Sequence, residues 1–141
     1  MASTISPFNQ SLQASASGMA AQSKRLQIIT ENIANAESKA AAPGGQPYRR
    51  KTIALGAAKD MQTGLSTVKV KKIGTDPTAF KEVYAPQDPM ADERGYVQMP
   101  NVNPMVEMVD MQEARLSHEA NVEAYKKSLK MIEDTIGILR N

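Results

Sequence analysis

Residues 104–139, PMVEMVDMQEARLSHEANVEAYKKSLKMIEDTIGIL, carry apolar side chains at alternating spacings of three and four. Such spacing places one stripe along a single side of a helix, where it faces a partner helix. Pro104 suits a first helical turn, so we predict a helix from Pro104 to Leu139 that is about 54 Å long. Arg115 and His118 interrupt the stripe, and this shift favours a helix with several neighbours over a strict two-stranded coil. An adjacent apolar face is offered by Met105, Val109, Leu116 and Ala120.

The N-terminal end carries a similar repeat. A spacing of seven is shared by Leu12, Met19, Leu26 and Ile33. This spacing predicts a helix that begins within residues 8–11 and ends near Ala36. Gly18 lowers helix stability by roughly 1 kcal/mol relative to Ala. It lies among several alanines, and such a density of small side chains lets another helix approach closely.

The two stripes are expected to pack as an antiparallel, coiled-coil-like pair and to contact neighbouring subunits. The burial of so few large side chains roughly balances the conformational entropy of two long helices. We therefore predict that the ends of the chain are poorly ordered in the free subunit and become ordered on assembly. The predicted assembly interface consists of Leu12, Met19, Leu26, Ile29, Asn32, Ile33, Asn35, Met108, Met111, Val122, Tyr125, Leu129, Ile132, Ile136 and Leu139.

The middle of the chain has no helical period. Residues 37–47 (ESKAAAPGGQP) predict a loop, because Pro and Gly end a helix. Strand-like runs follow at 48–55, 68–73, 80–84 and 96–99, with a flexible connection expected over 57–65. The sequence therefore predicts an α+β fold in three parts. These are an N-terminal helical assembly segment (1–40), a loop and β-rich segment (41–103) and a C-terminal assembly helix (104–141).

The composition limits the classes of function. A chain of 141 residues, 41% of them apolar, suffices for one domain. Its formal charge of +2 is not the concentrated basic excess of a nucleic-acid binder. The absence of Cys excludes a disulfide framework and a thiol nucleophile. Residues 1–23 lack the positive start and continuous apolar core of a signal peptide, and no run is long enough to span a membrane. We therefore expect export without a cleaved leader and no direct membrane insertion.

Side chains that carry chemistry are sparse. His118 is the single His, so no second imidazole completes a His-based metal site, and we interpret it as structural or solvent-facing. Asp88, Asp92 and Glu93 share a turn but lack the spacing of a calcium-binding EF-hand loop, which favours a solvated turn. No nucleophile motif accompanies the many Ser and Thr residues. We predict no enzyme activity, no catalytic residue, no metal site and no cofactor.

Two basic clusters, 48–51 (YRRK) and 69–72 (KVKK), leave more than one interpretation open. Alternation along a strand puts Lys69 and Lys71 on one face, which would suit contacts with phosphates. A solvated edge strand guarded by lysines is the interpretation we prefer. These charges also suit contacts with a protein partner, and we expect no nucleic-acid binding.

Several motifs narrow the class of protein further than the composition does. AAQSKRL at 20–26, followed by ENIANA at 31–36, resembles the N-terminal signature of bacterial flagellar axial proteins, which include rod, hook and hook-associated subunits. Three further stretches resemble the proximal rod subunits of this family: GGQPYRRK at 44–51, DERGYV at 92–97 and PNVNPMVEMVDM at 100–111. The similarity continues through EANVE at 119–123 to the end, so it covers nearly the whole chain.

The resemblance implies a structural subunit of the flagellar basal-body rod, the drive shaft that transmits torque from the membrane ring to the hook. It implies three kinds of partner: rod subunits including further copies of this chain, proteins at the junction of the rod and the MS ring, and the flagellar type III export apparatus. The implied location is the rod in the periplasmic space. Phe8 and Leu12 match the Phe-x-x-x-hydrophobic pattern of export-gate recognition, although Phe8 equally suits a staple at the helix start.

Asn32 and Asn35 lie near the predicted end of the first helix, where amides cap carbonyls or bond to a neighbour's backbone. We expect them to fix the axial register between subunits, as a buried polar group does in coiled coils. Two other classes of protein stay open. One is a free-standing coiled-coil adaptor or export-associated helical protein. The other is a nucleic-acid-binding module that uses Arg49, Arg50, Lys69, Lys71 and Lys72.

Overall fold

Two long helices with a small β-rich region between them form the computed structural model, which describes residues 7–61 and 63–140. The elements in chain order are α1 (Pro7–Ala34), β1 (Lys51–Lys59), β2 (Ser66–Thr75), β3 (Lys81–Tyr84), β4 (Tyr96–Met99) and α2 (Pro104–Leu139). The predicted α+β fold is confirmed, and α2 has the predicted bounds. Within the described residues, neither helix is apolar enough along its length to cross a membrane.

The chain divides into two compact units. The first unit consists of Met1–Leu26, Ala54–Lys72 and Glu113–Asn141, and the second of Gln27–Ile53 and Ile73–Gln112. Each long helix therefore contributes residues to both units.

In the first unit, α1 and α2 pack antiparallel through small and polar side chains. Ser11 and Ser128 share a hydrogen bond of 2.7 Å, and Arg25 Nη1 lies 3.4 Å from Glu113 Oε1. Between these contacts, a Cβ on Gly18 would lie only 2.6 Å from Oδ1 of Asn121. The two helices therefore approach closely at Gly18, as the sequence predicted, and a side chain there would have to displace the Asn121 amide.

In this unit, the residues of α2 that face α1 differ in part from those of the predicted apolar stripe. Ala114 and Ser128 are buried and Asn121 meets Gly18, whereas the predicted apolar seam placed Val122 and Leu129 there. Leu129, Ile136 and Leu139 are exposed instead. The prediction of a seam of large apolar side chains is therefore wrong at these positions. Small residues allow the closer helix approach.

The hairpin of β1 and β2 lies against α1 in the first unit. Thr67 Oγ1 donates to the Ala58 carbonyl at 3.3 Å, and β1, which pairs with β2, extends to Lys59. Residues 57–59, which we expected to be flexible, therefore continue the strand. The backbone N–H of Val68 donates to Ser17 Oγ at 3.0 Å, which fixes β2 to the helix.

The second unit holds the antiparallel pair of β3 and β4. Lys81 lies opposite Met99 and Tyr84 opposite Tyr96, and the two tyrosine rings pack edge to face at 5.2 Å. Val97 on β4 is buried, as are Ile28 and Ile29 of α1. These few apolar side chains form a small core, so polar contacts carry much of the packing in this unit.

Candidate functional site

A buried polar cluster in the second unit is centred on Asn32 of α1 and Glu107 of α2. Asn32 is 1% exposed and Glu107 is fully buried. Asn32 Nδ2 donates to Glu107 Oε2 at 3.1 Å and to the Lys51 carbonyl at 2.9 Å. Its Oδ1 accepts bonds from the Tyr48 hydroxyl at 2.8 Å and the Lys51 N–H at 2.9 Å. The amide of Asn32 thus joins α1, the start of β1 and the first turn of α2.

Arg50 supplies the counter-charge for the buried Glu107 carboxylate. Its Nε donates to Glu107 Oε1 at 2.5 Å, and its Nη atoms lie 3.6 Å from Asp76 and 3.7 Å from Asp110. The Arg50 N–H donates to Asn101 Oδ1 at 2.8 Å. A buried carboxylate without such partners is strongly destabilising. The Arg50 contacts therefore allow a charged Glu107 inside the unit.

Arg49 is also engaged within the second unit. Its Nη1 donates to the carbonyls of Asp76 and Thr78, each at 2.9 Å, and its guanidinium lies 4.1 Å from the centre of the Phe80 ring. Lys51 pairs with Glu31. Arg49, Arg50 and Lys51 thus all have partners within the unit, which counts against the alternative in which Arg49 and Arg50 bind nucleic acid.

The ionisation of the cluster follows from its burial and its charges. Burial raises the pKa of Tyr48, and the negative charges of Glu31 and Glu107 raise it further. Burial acts to lower the pKa of Arg50, but the hydrogen bond to Glu107 and the surrounding carboxylates raise it above its usual value. Hydrogen bonds from Thr78 lower the pKa of Asp76. The neutral phenol, the guanidinium and the Asp76 carboxylate are thus each stabilised by folding.

In the acidic turn at residues 88–93, the carboxylates of Asp88 and Asp92 have partners within the second unit. Asp92 Oδ1 accepts hydrogen bonds from the backbone N–H groups of Arg94 and Tyr96, both at 2.9 Å. Asp88 accepts a bond from the Met90 N–H at 2.9 Å and pairs with Lys39. Among the described residues, no group of three or more His, Cys, Asp or Glu side chains is arranged to hold a metal ion. The carboxylates therefore stabilise the turn itself.

A second feature is the exposed apolar face at the start of α2. We define this face by Met105, Val106, Met108 and Val109, which flank the buried Glu107. Met105 is 70% exposed and Val109 66%. This first part of α2 thus has two sides, one inside the unit and one apolar and open to solvent. Met105 and Val109 belong to the adjacent face that the sequence offered.

The residues of the predicted assembly interface differ in their exposure to solvent: some are buried, some are partly exposed and some are exposed. Ile29 and Asn32 are buried inside the second unit, and all four hydrogen bonds of the Asn32 amide are internal. The structure therefore gives Asn32 a role within the subunit in place of the expected bond to a neighbour's backbone. Asn35 donates to the Glu31 carbonyl at 2.9 Å and closes the end of α1. Exposed members of the set are Met108, Leu129, Ile136 and Leu139.

The other members of that set are partly exposed: Leu12, Met19, Leu26, Ile33, Met111, Val122, Tyr125 and Ile132. Sequence reasoning missed the pairing of Glu107 with Arg50. The two residues lie 57 positions apart, and no local spacing connects them. An acidic residue within an otherwise apolar first turn, PMVEMV, was the available signal.

Comparison with known proteins first defines the class. A family model described as flagella basal body rod protein matches residues 12–37, within α1 and the turn after it. A second, described as flagellar basal body rod FlgEFG protein C-terminal, matches residues 93–138, which include β4 and nearly all of α2. The two paired helices are thus the elements that this class of flagellar rod proteins shares.

Individual relatives narrow the class to one family. A flagellar basal-body rod protein FlgC from Agrobacterium fabrum is 43% identical over 136 residues, covering 96% of this chain and 98% of the relative. The FlgC of Salmonella typhimurium is 42% identical over 122 residues, covering 85% and 89%. That of Aquifex aeolicus is 40% identical over 129 residues, covering 91% and 93%. The chain belongs to the FlgC family of flagellar basal-body rod proteins.

Proposed function

We propose that this chain is a structural, non-enzymatic subunit of the flagellar rod, polymerising with further copies and with other rod proteins into the shaft that transmits torque from the membrane ring to the hook. The observation that carries the proposal is the exposed apolar face of α2. Its four side chains lie beside the buried Glu107, so the helix is fixed inside the subunit while this face stays available. Family membership supports the flagellar basal body as the place of assembly.

The exposed apolar face is suited to a protein partner. Full burial of a side chain such as Met or Val contributes about 1.5 to 3 kcal/mol, and Met is enriched in interface cores. Four such side chains on adjacent turns give an anchor that a neighbouring helix can cover. Phosphate or sugar ligands would require polar side chains that this face lacks.

Replacement of Met105 and Val109 by Asp tests this function. We expect M105D/V109D to retain the helical circular dichroism of the subunit, because both side chains are already in water, and to be lost from purified basal bodies. Ala124→Asp is the matched control, since it also places a carboxylate on an exposed apolar position of α2. Basal bodies that contain M105D/V109D at the level of the control would overturn the proposal.

We further propose that the subunit reaches the rod through the flagellar type III apparatus, without a cleaved leader, and then meets proteins at the rod and MS-ring junction. Phe8 and Leu12 are the candidate recognition residues. In the first unit, Phe8 lines a cleft with Ile132 and Ile136, so the staple role also has structural support. Export of Phe8→Ala should fall well below that of Asn9→Ala, an exposed neighbour. If both variants are exported equally and Phe8→Ala has the lower melting temperature, then Phe8 serves only to pack the start of α1.

A further inference from the structure

The two compact units carry opposite net charge. The first unit contains 11 basic and 6 acidic side chains, giving +5, and the second contains 6 basic and 9 acidic, giving −3. Together they give the modest +2 of the whole chain. The near-neutral total therefore divides into two units of opposite net charge.

The positive charge of the first unit is concentrated on the β1–β2 hairpin. Lys69 and Lys71 lie on one face of β2, which we call the lysine face, and both are exposed, as are Lys59 at the end of β1 and Lys72 on the opposite face of β2. Among the described residues, none of the four forms an ion pair with a carboxylate of the same chain.

The Lys71 side chain lies across Gly56 on β1, where an added Cβ would collide with Lys71 Cε. Glycine at this position leaves room for the lysine stem beside the neighbouring strand.

The negative charge of the second unit lies partly around Arg50. This single guanidinium faces the carboxylates of Glu107, Asp76 and Asp110. The other nearby cations have their own partners, Arg49 on backbone carbonyls and Lys51 on Glu31. Arg49 keeps its positive charge on those neutral carbonyls, so the three carboxylates exceed the two guanidinium groups by one negative charge. The Asp76 and Asp110 side chains are 22% and 32% exposed, which leaves them accessible to an external cation.

We propose that the lysine face of one copy docks on the Asp76 and Asp110 surface of a second copy. This inference rests on the proposed function, because it names the partner and the chemistry of one contact within the rod. A contact between two different surfaces of identical chains is heterologous, and repeated contacts of this kind form an open, extendable assembly. Complementary charge also favours this register over the like-charge alternatives.

A second copy fits the lysine face better than a nucleic acid does. Nucleic-acid surfaces combine basic side chains with aromatic rings or a groove-binding element, and the hairpin residues 54–72 contain no aromatic residue. The excess negative charge around Asp76 and Asp110, in contrast, attracts an external cation, which the lysine face supplies. Both halves of the contact are therefore present on one chain.

Cross-linking in assembled rods tests the contact directly. The chain contains no Cys, so Lys71→Cys combined with Asp110→Cys places two unique thiols at the two surfaces. A short bismaleimide should convert this variant, in purified basal bodies, into a ladder of covalent multimers of the chain. Lys130→Cys combined with Asp110→Cys is the matched control, because Lys130 is also exposed but lies outside the lysine face. We expect several-fold more multimers from the first pair.

Two results would overturn the inference while leaving the proposed function intact. One is a basal body that contains the Lys71→Cys and Asp110→Cys variant and gives no more multimers than the control pair. The other is cross-linking from the thiol introduced at position 71 to a protein other than this chain. Absence of both variants and of the unmodified chain from basal bodies would instead contradict the proposed function.

Charge reversal provides a second, independent measurement. Lys69→Glu with Lys71→Glu should reduce incorporation into basal bodies at least several-fold, and added Asp110→Lys should restore it, because the surfaces then exchange signs. Asp110→Lys leaves Arg50 opposite Glu107 and Asp76. Circular dichroism of each purified subunit confirms folding before incorporation is compared. Incorporation of folded Lys69→Glu/Lys71→Glu at the unmodified level, or a failure of folded Asp110→Lys to restore it, contradicts the docking.

Discussion

Asn32 shows how one side chain can hold three separate segments in place. Its amide makes every hydrogen bond that it has capacity for, with the Tyr48 hydroxyl, the Lys51 backbone and the Glu107 carboxylate as partners. An amide is suited to this position because it is both a donor and an acceptor without carrying a charge. Replacement by any apolar residue would leave several buried polar groups without partners.

Asn32→Ala should therefore lower the free energy of unfolding by about 2 to 4 kcal/mol, because each unpartnered buried group costs about 1 to 3 kcal/mol. Asn35→Ala is the matched control, since its Nδ2 makes a bond to the Glu31 carbonyl at the end of α1. We expect the control to lose only about 0.5 to 1.5 kcal/mol. Urea unfolding followed by circular dichroism measures both. Equal losses would show that the buried network adds little stability.

The pKa shifts of ionisable residues in the second unit predict how the free energy of unfolding depends on pH. Hydrogen bonds lower the pKa of Asp76 and Asp92, and the Lys39 contact lowers that of Asp88. Their stabilisation is therefore present above the unfolded pKa of about 4 and is lost as the pH falls through the lower folded values. Burial raises the pKa of Tyr48, so its contribution is present below about pH 10 and is lost at higher pH.

The free energy of unfolding should thus be nearly constant around neutral pH and fall on both sides. The matched variant for the alkaline side is Tyr48→Phe, which removes the titrating hydroxyl and keeps the ring. We expect it to be less stable at neutral pH by about 0.5 to 1.5 kcal/mol, from the lost hydrogen bond, and to show a weaker loss above about pH 10. Chemical denaturation at a series of pH values measures this. If the free energy of unfolding of Tyr48→Phe falls as much above about pH 10 as that of the unmodified chain, a group other than Tyr48 causes the fall.

At the scale of elements, the sequence predicted α2 to the residue and α1 to within a few residues, because helical periodicity and Pro104 are local signals. It placed the seam wrongly at positions 122 and 129, because hydropathy ranks Val122 and Leu129 above Asn121 and Ser128. Packing reverses that order where the helices come close, since small residues permit the contact that large ones prevent. For the long-range pair of Arg50 and Glu107, the sequence marks Glu107 as an acidic residue in an apolar turn but does not indicate its partner. The buried cluster therefore required the structure.

The contact between Gly18 and Asn121 can be tested with a double-mutant cycle. Gly18→Ala gains about 1 kcal/mol of helix propensity, but its Cβ collides with the Asn121 amide, and such overpacking costs about 1 to 3 kcal/mol. We expect Gly18→Ala to destabilise the unmodified chain and to stabilise the Asn121→Ala background. Thermal unfolding of the four proteins gives the coupling energy. Additive effects would mean that the Asn121 side chain moves aside freely.

At the scale of the whole molecule, stability is expected to differ along α2. Near its start, Glu107 is held by Asn32 and Arg50, whereas the end of the helix exposes Ile136, Ile138 and Leu139. Backbone hydrogen bonds without covering side chains open in local unfolding, and isolated helical turns are marginal in water. An assembly would cover the exposed apolar side chains of α2 and would bring the two oppositely charged surfaces into contact.

Amide hydrogen exchange on dilute free subunit should therefore show fast exchange over residues 133–139 and slow exchange at residues 28–32 and 96–99, where Ile28, Ile29, Asn32 and Val97 are buried. The same measurement on purified rods should show protection at 133–139, because neighbouring subunits then cover the helix. M105D/V109D provides the control, since its free form should exchange like the unmodified subunit. Strong protection of residues 133–139 in the dilute subunit would contradict ordering on assembly, and the exposed end of α2 would then be stable on its own.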